Sequence, residues 1–483
     1  MHLLDKLIAA ISPKTGYARM AWRDAMRFYD AGPGERNKGW MPVNGAAQQT
    51  DRSARDIIRA KARDLERNSD IGEAMVDAFE RNVIGTGIRL QAKIKHEDGT
   101  ENEALNNKIE ELWKTWCRPR YCDITGQQSF AELQAMAMRR ILYDGGILFV
   151  KVYTGGRYSF QLQAREVDEL DSSIIKQNPD GSCVVDGIEF DRYGKPLAYY
   201  FRKYTIDGYY LGESERISAE RVIFLWEKTR PTQIRELSPM ARTIGRIRDM
   251  NEYMTAISVK ERVLACLAVF IKKNHPGAVG RGMPMDKQTG YRERTLAPGM
   301  IQELNTGEDV QVVNPSGQAS NAKEFITTQQ RLAGSGQGLS YEVVSRDMSQ
   351  VNYSSARQGL LEDQKTYAKY QQFIIEHLCR EVYSSFLLSI VLNGLVEIPD
   401  FWENKERYLQ HDWITPGWSW IDPLKEVNAN RSAVENNFDT LARICGERGL
   451  DWREVVEQRQ KEIEYIKQLG ADKNEGNGSA KAS

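Results

Sequence analysis

The chain has 483 residues, with 66 lysines and arginines against 67 aspartates and glutamates and a formal net charge of −1. That length supports two or three domains, each with its own core. The charge balance excludes a static clamp on nucleic acid, because counterion release supplies most non-specific affinity and demands a strongly basic chain. The six cysteines, Cys117, Cys122, Cys183, Cys266, Cys379 and Cys445, form no CxxC pair and read as reduced, mostly buried thiols of a cytosolic protein. MHLLDKLIAAISP at the start lacks the layout of a secretory signal. The longest apolar run, Val263 to Ile271, is far below the ~20 residues a membrane crossing needs, so no membrane is expected.

Residues 1–50 open amphipathically and pass into AGPGERNKGWMPVNG, from Ala31, whose glycines and prolines prevent regular structure; this is an arm or linker. From Asp51 to about Gly85, Ile57, Ile58, Leu65, Ile71, Met75, Val76 and Phe79 keep helical spacing. The arginines here suggest DNA contact. Interleaved Asp51, Asp56, Asp64 and Glu66 favour a solvated helix face instead. Helices are predicted at about Asn102–Trp116 and Phe130–Tyr143. Strands follow at Ile147–Tyr153, Tyr158–Ala164, Ser182–Phe190, Pro196–Lys203 and Val222–Trp226, bounded by GG, DG and YG turns. Together, residues 51–237 read as a compact α+β domain.

Ser238 is a plausible N-cap and Pro239 suits a first turn. Met240, Ile244, Ile247, Met254 and Ile257 carry a helical pattern to about Ile271, reaching ~50 Å, with its last turns open to becoming strand. Residues 272–317 include strand-like Met300–Leu304 and Val310–Val313. Lys272, Lys273, Arg281, Lys287, Arg292 and Arg294 face only Asp286 and Glu293, and the glycines and prolines of 275–284 mark a mobile loop. A second helical pattern, about Ala319–Leu332, is closed by Gly334, Gly336 and Gly338. After the polar loop Ser340–Ser355, a third runs from Ser354 to about Leu392, ~60 Å long. Asp422 and Pro423 open helical patterns over about Leu424–Cys445 and Asp451–Leu469, divided by GERGL. The tail ADKNEGNGSAKAS reads as disordered.

No GxxxxGK, GxSxG or HExxH occurs, and the five histidines are scattered, so no cofactor, metal or catalytic residue is implied. Asp168, Glu169 and Asp171 raise Mg²⁺-dependent nuclease chemistry, against which a solvated strand-to-loop junction is the preferred reading. Trp413, Trp418 and Trp420 raise base stacking; with Pro416 and Gly417 between them, an aromatic-rich packing turn is preferred.

The stretch from Gly336 to Glu362, GQGLSYEVVSRDMSQVNYSSARQGLLE, resembles the signature of the lambda-type portal proteins of tailed bacteriophages. Three further passages are similar, in the expected order. RAKARDLERNSDIGEAM near Arg59 runs on to NVIGTGIRLQ at Asn82, followed by RVIFLWEKTRPTQIRELSPM near Arg221 and WITPGWSWIDPLKEVNA near Trp413. The resemblance covers roughly Arg52 to Leu469 and departs at Glu236, where a small residue is expected. It implies an α+β portal fold. Its parts are an N-terminal arm (1–50), a mixed wing (51–237), stem helices (238–271 and 318–338) and a small α/β clip (272–317). A tunnel loop (339–353), a long kinked helix with the wing return (354–421), a helical crown (422–470) and the tail (471–483) complete it.

The resemblance also implies a homo-oligomeric ring, usually of twelve subunits, at one capsid vertex. Double-stranded DNA is packaged through such a ring by the terminase and later ejected, and near-neutrality suits a channel in which duplex slides. The chain itself is then no enzyme, because ATP is consumed by the terminase. The clip is expected to meet the terminase large subunit and the head-completion proteins, and the wing and arm the capsid shell or scaffold, with assembly in the bacterial cytoplasm and residence in the virion. Glu342, Arg346, Asp347, Gln350 and Asn352 of the tunnel loop offer nearly cancelling charge and short hydrogen-bonding groups, suited to weak contacts that position a duplex without reading sequence. The basic clip residues suit either an acidic terminase surface or emerging DNA. Two other readings stay open: a helical scaffold or adaptor without a channel, and a Mg-dependent nucleic-acid-processing enzyme.

Overall fold

The computed structural model describes residues 12–15, 44–265, 269–273, 308–312, 322–349, 352–418 and 423–468. Most of the arm, Cys266, Arg281, Lys287, Arg292, Arg294, Met300–Leu304, Gln350, Trp420 and the tail therefore lie outside the described residues. The chain divides into two compact units, one comprising residues up to Ala54 together with Arg230–Ile234, the other comprising the rest. In the first, the Ala47 amide donates to Thr232 Oγ1 at 2.9 Å and Arg230 Nη2 donates to the Gly45 carbonyl at 2.7 Å.

Helix α1 (Ala47–Asn68) ends where Asn68, Ser69 and Asp70 offer the backbone side-chain partners that compete with helix. Ser69 is extended and caps α2 (Asp70–Phe79) by accepting from the Gly72 amide at 3.2 Å. The helical spacing read from Asp51 to about Gly85 is carried by two helices, followed by a π-turn at Glu80–Ile84 that closes at Gly85 (φ 53°). Strand β1 (Arg89–Ala92) precedes α3 (Glu103–Trp116), capped by Asn102, and α4 (Phe130–Tyr143), which opens with a full capping box between Ser129 and Glu132.

The central sheet is β3 (Phe160–Arg165), β2 (Gly146–Tyr153) and β9 (Val222–Trp226), with β2 in the middle and antiparallel to both. Its run ILFV is continuously apolar because that stretch is buried on both faces. A second, five-stranded meander contains β4 (Lys176–Gln177), β5 (Cys183–Val185), β6 (Ile188–Phe190), β7 (Pro196–Tyr204) and β8 (Tyr210–Ser218). The run expected as one strand, Ser182–Phe190, is a hairpin: Asp186 and Gly187 both take positive φ, the signature of a type I′ turn. Strand β8 escaped the sequence reading because YLGESERIS buries only Ile217.

Ser238 caps a 3₁₀ turn at Pro239–Arg242, and α5 (Ile244–Ala265) follows. The apolar patch Val263–Ile271 is divided between the end of α5 and β10 (Val269–Lys273), which pairs antiparallel with β11 (Glu308–Val312). Lys272 and Lys273 stand in register with Asp309 and Glu308. α6 (Ala322–Gln337) packs on α5, with the Tyr253 and Phe325 rings 4.4 Å apart. After the short α7 (Tyr341–Ser345), α8 (Tyr353–Ile374) runs into a π-turn at Ile375–Cys379 and then α9 (Arg380–Leu392). Strand β12 (His411–Ile414) returns to pair with β1. Three further helices follow, α10 (Pro423–Glu435), α11 (Leu441–Glu447) and α12 (Trp452–Gln468).

Aromatic rings fill the core between α3, α4, α9 and the central sheet. Trp116 lies parallel to Phe160 at 5.4 Å and donates Nε1–H to the Phe160 carbonyl at 2.9 Å. Trp113 meets Phe130, Tyr383, Phe386 and Trp413 edge-on. Trp413 is therefore a packing residue on β12, and Trp418 also packs against this core.

Candidate functional site

The segment between α6 and α8 is built from backbone constraints outward. Gly338 (φ 75°) ends α6 in a Schellman motif: the Leu339 amide donates to the Gly334 carbonyl at 2.9 Å and the Gly338 amide to the Ser335 carbonyl at 3.2 Å. Gly334 and Gly336 were expected to stop the helix but lie inside it. A Cβ on Gly336 would come within 2.7 Å of Thr243 Cγ2, and one on Gly334 within 2.9 Å of the Leu339 carbonyl oxygen. Glycine at these positions serves close packing, and Gly338 alone supplies the stop.

Two side chains of α8 then hold the start of α7. Asp363, 1% exposed, accepts from the Ser340 amide at 2.7 Å and from Ser340 Oγ at 2.6 Å. Thr366 Oγ1 donates to the Gly338 carbonyl at 2.9 Å. Burial raises the Asp363 carboxyl above its ordinary range, only partly offset by the Ser340 hydrogen bonds, and nearby Glu342 adds to the rise. Neither Asp363 nor Thr366 was singled out in the sequence, where each is one polar residue in a long helical pattern.

Four of the five expected tunnel-loop residues are described. Glu342 is half-buried on α7, not in a loop. Arg346 is exposed and left-handed (φ 55°), ending α7 with its amide on the Glu342 carbonyl at 2.8 Å. The Asp347 carboxylate accepts from the Ser349 amide at 2.9 Å, which holds it below the usual carboxylate range. Asn352 is the N-cap of α8, accepting from the Ser355 amide at 2.9 Å. Val344, 3% exposed, anchors the inner side of α7. The result is a short polar segment whose shape is fixed by caps and turns while Arg346 stays open to solvent.

The other candidates resolve differently. Asp168, Glu169 and Asp171 do not converge and do not form a solvated junction. Asp168 pairs with Arg59 at 2.8 Å and Arg63 at 2.6 Å, and Glu169 pairs with Arg165 at 2.6 Å. Burial would raise the Asp171 carboxyl, but hydrogen bonds from Ser173 and Ser214, with Arg202 nearby, bring it down to about 2. Among the described residues no group of three or more histidines, cysteines or carboxylates is placed to hold a metal.

The arginine face of α1 is likewise not solvated. Arg55 and Arg59 are 3% and 6% exposed. Arg55 Nη1 reaches Asp186 at 3.1 Å, Arg59 Nη1 reaches Glu236 at 3.1 Å, and Arg235 grips Glu236 through both Nε at 2.7 Å and Nη2 at 3.1 Å. Glu236, the residue that departs from the expected pattern, is the shared anion of three arginines, since Arg55 also lies 3.9 Å away.

The polar groups of these clusters are committed to caps, turns and buried ion pairs. Residues 33–371 match the family of lambda-type phage portal proteins, and the chain belongs to that family. The probable portal protein of Halomonas phage phiHAP-1 is 26% identical over 425 residues, covering 86% of this chain and 81% of the relative. Portal protein B of Escherichia phage lambda is 22% identical over 451 residues, covering 83% and 82%. A solved chain from the neck of an empty gene transfer agent particle has a TM-score of 0.44 at 16% identity, covering 76% of this chain and 90% of that one. The chain is accordingly a portal protein of the capsid vertex, a structural part of a phage particle and not an enzyme.

Proposed function

We propose that copies of this chain close into a ring around a channel that passes double-stranded DNA inward during packaging and outward at ejection, with the α7 segment on the channel wall. The family match through residue 371, which includes this segment, carries the reading. Its geometry supports it: Arg346 and Asp347 oppose each other in charge one residue apart, on a backbone pinned by Asp363 and Thr366. Repeated around an axis, such groups touch phosphates weakly at many points, which lets a duplex slide.

The terminase, head-completion proteins and capsid or scaffold protein are the proposed partners. The terminase docks on the clip, to which Lys272, Lys273, Arg281, Lys287, Arg292 and Arg294 contribute positive charge. Electron microscopy of the protein, alone and co-expressed with its capsid protein, tests the ring. Rings with an axial hole are expected, and their absence from both samples overturns the reading. Deleting Ser345 to Gln350 should leave rings intact while lowering DNA packaging or retention; full DNA content would remove the segment from the channel. Neutralising Lys272, Lys273, Arg281 and Arg292 should impair packaging with rings preserved, and loss of the rings would sink the clip assignment.

A further inference from the structure

The C-terminal helices turn their apolar residues away from their own chain. On α10, Leu424, Val427 and Val434 fall on one face at helical spacing, and Leu424 is 74% exposed. Phe438, just past the helix end, is 85% exposed. The half-buried face of the same helix carries Glu426, Asn430 and Ala433, so the larger apolar side chains are not the ones turned inward. Helix α12 repeats the pattern. Its first turn is tied down by Arg453, which pairs with Glu101, and by Asp451, which accepts from Gln91 at 2.6 Å. From Glu454 to Lys467 every residue is exposed, including a stripe of Val455, Val456, Ile463 and Ile466. Aligned exposed apolar stripes of this kind mark protein contact sites.

We propose that α10 of one copy docks antiparallel on α12 of the next, as a heterologous contact running around the ring; this rests on the ring reading above. Two observations select a second copy as the occupant. The two stripes are separate surfaces on one chain, and a closed ring requires just such a pair, one surface on each side of the subunit. They match in length, α10 having 13 residues and the free part of α12 extending from Glu454 to Lys467, each ~20 Å long.

The charges select the direction. Each stripe carries one arginine, Arg431 or Arg459, with a glutamate of the same helix beside it at 2.7 Å (Glu435) or 3.8 Å (Glu462). A parallel docking that aligns the stripes sets Arg431 against Arg459. The antiparallel docking sets Arg431 against Glu462 and Arg459 against Glu435, and in the same register brings Val427 to Ile466 and Phe438 to Val455 and Val456.

The test is crosslinking of the full chain carrying V427C and I466C together, with a short bismaleimide, in preparations checked for rings by electron microscopy and with the parent chain as control for native cysteines. A ladder from dimer up to the closed ring is expected. Each single variant should give no more than the parent, and an equal mixture of the two singles should stop at dimers. Adding R431E should remove the ladder, and adding E462R to that chain should restore it. Rings without a ladder overturn the proposed contact and leave the ring reading standing. Dimers from V427C alone would show like-on-like pairing and overturn it too. Absence of rings from the parent chain as well as the variant, with no ladder, rejects the contact and the ring together.

Discussion

The body of the molecule buries charge, whereas the C-terminal helices expose hydrophobes. Around Glu236, three arginines and Asp186 sit almost wholly out of water, each paired within the chain. Around α10 and α12, leucine, valine, isoleucine and phenylalanine side chains stay exposed to water. The first region is complete in a single copy, since a charge stays buried only when its counter-charge is already there. The second is left incomplete by a single copy. Buried charge thus marks where folding ends, and exposed apolar stripes mark where assembly begins.

The largest expected effect breaks the self-sufficient side. Replacing Glu236 by alanine removes the carboxylate shared by Arg55, Arg59 and Arg235 and should destabilise the monomer by about 3–5 kcal/mol, read as a lower urea midpoint. Next is Asp363→Ala, which leaves the Ser340 amide and hydroxyl unpaired and should cost about 1–3 kcal/mol. Asp363→Asn should not share that cost, and its effect should depend on pH. Because burial raises the Asp363 carboxyl in the folded state, its ionisation opposes folding: the favourable contribution is present below its ordinary value of 3.8 and is lost as pH rises through the folded value. The asparagine variant should therefore gain on the parent in stability as pH rises to neutrality, and the two should draw level in acid.

Gly338→Ala forces a Cβ into the left-handed region and should cost about 1–2 kcal/mol by the same measurement. The smallest monomer effect belongs to the other side of the contrast. Leu424→Ser or Val456→Ser should shift the urea midpoint by no more than about 0.5 kcal/mol while reducing ring yield. A large loss of monomer stability there would mean that the stripes serve their own chain after all.

The sequence made one class of feature legible and hid another. Apolar runs such as ILFV in β2 and VIFLW in β9 gave those strands nearly to the residue, because burial is written into local composition. Strand β8 was invisible for the converse reason, as its pairing with β7 is backbone chemistry and its side chains stay in water. The arginines of α1 were read as solvated because nearby acids in sequence looked like their partners, yet apart from Asp56 their counter-ions come from Asp144, Glu166, Asp168, Asp186 and Glu236, all distant along the chain. The segment proposed as a tunnel loop was singled out by resemblance alone. What fixes it, Asp363 and Thr366 on α8, lies across a helix-to-helix contact that no local pattern announces.

The π-turn at Ile375–Cys379 sets the phase of the helix behind that segment. Before it, Asp363, Tyr367, Tyr370 and Ile374 line the buried face; after it, Val382, Tyr383, Phe386 and Ile390 do. Counted at the ordinary ~100° per residue, those two sets would point more than a quarter-turn apart, and the extra residue of the π-turn brings them back to one side. Regular α-helical bonding with every residue kept would rotate everything beyond 379 by about 100°, turning Tyr383 and Phe386 off Trp113. Loss of one residue from 375–379 would regularise the bonding and leave the two faces in phase, so the stretch tolerates a shorter chain better than a straightened one.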